Sequence, residues 1–162
     1  MSDEDPSERR LLAVLANPPL ATSGLRTLSR VKLAARVIGC GEVGVGNLFS
    51  AASKDVTELT VLGVRPDSWL DARAGLLREI CAADDVLLGW GCTEPCGEAR
   101  LHHRSQVGWL MGVLESQSAQ VWTVGGLPRH PSRWQRYTAR EYPGREFVSA
   151  LAASLRAGLP MR

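Results

Sequence analysis

Four short apolar runs constrain this chain more than any other feature. They are "LLAVLA" (11–16), "VGVGNLF" (43–49), "DVLLGW" (85–90) and "QVWTVG" (120–125). Each is a largely continuous apolar run rather than an alternating one, the pattern of a strand covered on both faces. Helical periodicity fills the gaps. Residues 25–38 carry Leu25, Leu28, Val31, Ala34, Ala35 and Ile38 at three- and four-residue spacing, with Ser23 placed to cap them. Residues 67–82 carry Leu70, Leu76, Leu77 and Ile80 behind Pro66, and residues 100–116 carry Leu101, Leu110, Val113 and Leu114. A last helix is expected over about 145–157, rich in alanine and leucine. Strands alternating with helices predict a three-layer α/β/α fold around a central four-stranded parallel sheet.

The 162 residues suit one domain, expected over 11–162, behind a polar, acidic N-terminal tail (1–10) expected to be disordered. No basic-then-apolar leader and no apolar run of about 20 residues is present, so the expectation is a cytoplasmic, monomeric protein with reduced thiols and no membrane partner. The net charge of +2 excludes a polycation, yet 17 of the 19 basic residues are arginines. That bias reads either as GC-rich coding or as a choice of planar, bidentate phosphate contacts.

In a parallel sheet flanked by helices, ligands sit beyond the carboxyl ends of the strands. The residues placed there are Asn17-Pro18-Pro19, Asn47-Leu48-Phe49, Gly91-Cys92, and Gly125-Gly126 leading to Arg129-His130-Pro131-Ser132. Asn17, Asn47 and His130 are therefore expected to converge on one mouth. "GCGEVGVG" (39–46) satisfies G-x-G-x-x-G, but a helix precedes it and a strand follows, the reverse of a dinucleotide-binding context. It reads as a turn, with Gly39 near a helix C-cap. Cys92, Cys96, His102 and His103 lie within twelve residues and are weak zinc-ligand candidates, read first as loop cysteines beside surface histidines; no metal and no cofactor is expected. Between 129 and 145 stand Arg129, Arg133, Arg136, Arg140 and Arg145, interleaved with Trp134, Tyr137 and Tyr142. Such a stretch grips phosphates and stacks on or wedges between bases, or else forms a solvated face with Trp134 turned inward.

The ordered set "ANPPLATSG", "VGNLFSAASKDVTEL", "LLGWG" and "GLPRHPSR" resembles the uracil-DNA glycosylase superfamily, through a small bacterial and phage family with Asn-Pro, Asn-Leu-Phe, Trp-Gly and His-Pro motifs. The resemblance covers about residues 11–138. It implies a DNA glycosylase that flips uracil or a modified pyrimidine out of DNA, single- or double-stranded, and hydrolyses its N-glycosidic bond. Asn17 would orient the attacking water, Asn47 read the base edge, His130 donate to the anionic oxygen of the leaving base, and Phe49 or Trp90 stack on it. Arg129, Ser132, Arg133, Trp134, Arg136 and Arg140 would meet the DNA. Fast members of the superfamily carry an aspartate in the first motif, whereas no acid stands between Arg9 and Glu42 here. Slower chemistry is the consequence, or a catalytically inactive module of the same fold that binds DNA or a nucleotide. A small metal-dependent protein using the cysteine and histidine cluster is the third reading.

Overall fold

A computed structural model describes residues 8–18, 24–53 and 55–160. Strand β1 is Arg10–Leu15, followed by helix α1 (Gly24–Ile38), β2 (Glu42–Asn47), α2 (Val56–Leu62), α3 (Asp67–Cys81) and β3 (Asp85–Leu88). Then come α4 (Gly97–Ser116), β4 (Gln120–Val124), a 3-10 turn (Pro131–Arg133), α5 (Trp134–Glu141), α6 (Phe147–Ser154) and β5 (Leu155–Ala157). The strand order is β2-β1-β3-β4-β5. The first four strands are mutually parallel, as expected, and β5 adds a fifth, antiparallel to β4 through Trp122–Ala157 and Val124–Leu155.

The layers follow from strand periodicity. On β1, Leu11, Ala13 and Leu15 face one way and pack with Val31, Ala34 and Ala35 of α1, Trp134 of α5 and Leu151 of α6. Leu12 and Val14 face the other way, into a core with Leu59 of α2, Trp69, Leu76 and Ile80 of α3, and Leu110 and Met111 of α4. Both faces of β1 are thus buried, which is why its sequence shows no alternation. Each such leucine stabilises the fold by about 1.5–3 kcal/mol.

Several expectations need correction. β2 is an edge strand rather than a fully covered one. Gly46 lets α3 lie close on it, since a Cβ there would stand 2.8 Å from Leu76 Cδ2. Leu25, Leu70, Leu77 and Leu101 are exposed, so the buried stripes of their helices are narrower than the leucines suggested. The last helix stops at Ser154, because the chain there turns to pair with β4. The tail does not extend to residue 10. Arg10 opens β1, and Arg9 binds the buried Asp85 at 2.6 Å. Residues 1–7, the cap Ser23 and Pro19 lie outside the described residues. The glycine-rich stretch is a turn and a strand: Gly39 takes φ +100° and donates to Ala35 O (2.8 Å), while Gly44 and Gly46 belong to β2. Among the described residues no helix is long and apolar enough to cross a membrane.

Candidate functional site

The strand order creates a switch point. From β1 the chain crosses to β2 on one side, and from β3 it crosses to β4 on the other, so a crevice opens beyond the carboxyl ends of β1 and β3. Backbone bonds stitch its rim. Leu48 N–H donates to Leu15 O (2.9 Å), Phe49 N–H to Ala16 O (2.9 Å), Gly89 N–H to Val14 O (2.9 Å) and Gly91 N–H to Pro128 O (2.7 Å). Two glycines permit this close approach. A Cβ on Gly89 would lie 3.2 Å from Leu15 Cδ2 and 3.5 Å from Pro131 Cδ, and one on Gly91, at φ +97°, would lie 3.8 Å from His130 Cβ. Asn47 ends β2, Asn17 follows β1 and His130 lies beyond β4, so all three belong to the carboxyl edge of one parallel set of strands, with β3 between β1 and β4.

His130 is held in a defined state. Its Nδ1 accepts from Ser132 N–H (3.1 Å) and lies 2.8 Å from Ser132 Oγ. An amide N–H can only donate, so Nδ1 carries the lone pair and the ring proton resides on Nε2. Burial, with the Arg133 and Arg30 charges, holds the imidazole pKa below the ordinary 6.5, so the ring is neutral at pH 7. The loop around it is pinned from three directions. Arg30 Nη1 donates to Pro131 O (2.7 Å), Trp134 Nε1 donates to Arg129 O (2.9 Å), and Pro128 O accepts from Gly91. Ser132, expected among the DNA contacts, turns both its amide and its hydroxyl to His130.

The two asparagines differ. Asn17 Nδ2 donates to Ser53 O (2.8 Å) and Pro18 O (3.2 Å), so the acceptor function of this amide rests on Oδ1 alone. Asn47 borders a cavity of about 250 Å³ together with Pro18, Phe49 and Leu76, and its Oδ1 is buried without a partner among the described residues. A second, larger cavity of about 860 Å³ is bordered by Trp90, Gly91 and Pro128. Asn17 and His130 border neither cavity, so neither of these two cavities brings the three polar residues together.

The expected stacking rings are core residues. Phe49 is 1 % exposed and packs on Trp69 with centroids 4.8 Å apart, and Trp90 is 7 % exposed. Trp134 is 0 % exposed and cannot wedge into a base step, because α5 turns it and Thr138 inward. Arg133, Arg136 and Arg140 stand exposed at helical spacing on the other side, Arg140 beside Glu141 at 3.3 Å. Arg129 lies over the Tyr137 ring at 4.1 Å, and its Nε is buried with no hydrogen-bond partner among the described residues. Cys92 and Cys96 are free and exposed, but His103 is no surface histidine. It is buried edge-on to Trp69. No group of three or more metal-ligating side chains occurs among the described residues.

Two residues that hold the site were missed. Arg30 anchors the His130 loop from α1. Gln106 of α4 is fully buried and donates to Leu48 O (2.8 Å) and Trp69 O (2.6 Å), while its Oε1 accepts from Arg73 (2.9 Å). A glutamine four residues before Leu110, on an apolar stripe, was the available signal.

Residues 2–132 match the family described as "Protein of unknown function (DUF1643)". The chain belongs to that family. No curated protein and no solved structure matches it. The DUF1643 match takes in every strand-end residue named above, His130 and Ser132 included, and ends before α5. The arginine-bearing helix is thus outside the matched segment.

Proposed function

We propose that this protein is a DNA glycosylase of the uracil-DNA glycosylase type, acting on uracil or a modified pyrimidine presented at the switch-point crevice. The observation that carries the reading is His130, a neutral imidazole whose Nδ1 is occupied by Ser132 N–H, leaving Nε2–H as its donor. In the proposed reaction the N-glycosidic bond breaks with its electron pair passing to the base. The charge gathers on a ring oxygen, and Nε2–H donates to it. A water held by Asn17 Oδ1 adds its oxygen to the sugar cation at C1′ and loses a proton to solvent. Asn47 reads the base edge, its amide able to donate and accept together. Arg133, Arg136 and Arg140 face the phosphates. A donor fixed where negative charge develops contributes about a hundred- to a thousandfold in rate, and the three anchors on the His130 loop supply that fixity.

One observation favours a second reading, base recognition without cleavage. The first motif has no carboxylate to stabilise a sugar cation, and no acid stands between Arg9 and Glu42. A panel of oligonucleotides carrying different pyrimidine lesions and modifications, scored for strand breakage after alkali, separates the two. Breakage with one base, lost by about a hundredfold or more in His130→Ala, supports the enzyme. Salt-dependent binding with no abasic product supports the binding module. Neither binding nor breakage overturns both.

A further inference from the structure

Of the residues expected above to act on the base, only Trp90 borders the larger cavity, which meets the crevice rim at Gly91 and Pro128. It runs between one face of α4 and the chain beyond β4, with a volume of about 860 Å³, inside the range typical of small-molecule sites. Arg104, Val107, Gly108 and Met111 line it at helical spacing from one side. Trp90 forms part of its wall, and Leu127, Pro128 and Pro160 close the other side. Leu127 is an exposed leucine on this wall, which gives an apolar ligand surface to cover.

We infer that this groove binds an uncharged, planar aromatic small molecule, at a site separate from the nucleobase mouth. The walls supply an indole, a thioether and aliphatic carbons, which favour ring faces and edges. The charged residues lining the groove are paired with each other. Arg104 Nη2 meets Glu94 Oε2 at 2.9 Å and Arg104 Nε meets Glu94 Oε1 at 3.0 Å, and Arg100 Nε stands 3.6 Å from the same carboxylate, so Glu94 is taken up by two arginines and Arg104 already holds a bidentate partner. His103, also on the wall, is kept uncharged by burial. A charged ligand would lose hydration and would have to compete with these existing ion pairs for a counterion. The polar groups assigned to base recognition, Asn17, Asn47 and His130, do not border the groove.

The structure provides a matched pair of variants. Gly108 and Gly112 both lie within α4, both are exposed, and both have open space where a Cβ would stand, but only Gly108 borders the groove. Leucine at either position raises helix propensity by about 1 kcal/mol, so neither variant threatens the fold. The experiment titrates the full ¹⁵N-labelled chain with indole and follows the Trp90 side-chain N–H and the Gly108 and Leu127 amides. Saturable shifts centred on these resonances are expected. Gly108→Leu should weaken indole binding by about tenfold or more while Gly112→Leu leaves it within about twofold, and benzoate and benzamidine should bind about tenfold more weakly than indole. The proposal is overturned if indole gives no saturable shift at the groove up to its solubility, or if Gly108→Leu binds it like the unsubstituted chain. His130→Ala should retain indole binding whatever it does to base excision. Loss of indole binding in that variant would mean a single shared site and would overturn the separation claimed here.

Discussion

Two histidines, His103 buried and His130 half-buried, have their charged forms disfavoured in the fold, which makes it sensitive to mild acid. The His103 pKa is lowered by burial foremost. The Arg104 charge adds to this, against the opposing pull of Glu94. His130 is lowered by burial, then by Arg133 and Arg30. Both therefore bind a proton more readily in the unfolded chain, where the ordinary value is 6.5. With folded values below the unfolded one, the stability they contribute is present above about pH 6.5 and is lost as pH falls from there toward the folded values. Each proton is worth about 1.4 kcal/mol per pH unit, so the upper limit between about pH 7 and pH 5 is roughly 2 kcal/mol per histidine. His103, 5 % exposed, stands nearer that limit than the partly buried His130. Glu94 is also shifted, downward through its bond to Arg104, but its loss begins below its ordinary 4.5 and leaves the window to the histidines. Urea unfolding followed by circular dichroism at about pH 7, 6 and 5 measures the effect. The expected result is a loss of stability toward pH 5, no larger than about 4 kcal/mol, in the unsubstituted chain and a clearly smaller one in a His103→Phe/His130→Asn double variant, phenylalanine retaining the edge contact on Trp69. Equal stability at both ends of the range, or an equal loss in the double variant, would refute the reasoning.

Arg30→Gln removes the charge beside His130 and the bond to Pro131 O; the His130 pKa should rise toward 6.5 in an NMR titration, and base excision, where present, should fall by about tenfold. Cys40 is buried and bonded to Asp85 Oδ2 at 3.2 Å, and its thiol pKa is pushed up to about 12 by burial and by that carboxylate. A disulfide reagent at neutral pH should therefore titrate the exposed Cys81, Cys92 and Cys96 in the native chain and reach Cys40 only in denaturant, and rapid native reaction of all four would contradict this.

The parts of the fold that were legible are those whose sequence pattern and burial have the same cause. β1 and β3 are covered on both faces, so their buried residues are apolar apart from Asp85, which is paired with Arg9, and the parallel four-stranded core shows in those runs. β5 was illegible because its three residues are a strand only through pairing with β4. The arginine-rich segment was legible in part. Read residue by residue it alternates rings with cations, but at helical period Trp134 and Thr138 fall on one side and Arg133, Arg136 and Arg140 on the other. The inward tryptophan was therefore written in the spacing, and it fixes the loop by its bond to Arg129 O. Asn17, Asn47 and His130 could be assigned to one edge of the sheet because each ends or follows one of its parallel strands. Their supports could not: Arg30 acts across 101 residues and Gln106 across 58, and no local pattern marks such a reach. This divides the site physically. Residues whose position is set by sheet topology can be found from one sequence, whereas the residues that hold them still are chosen by packing between helices. Any chemistry at His130 depends on the second group as much as on the first, since a donor improves on water only when its direction is fixed before charge develops.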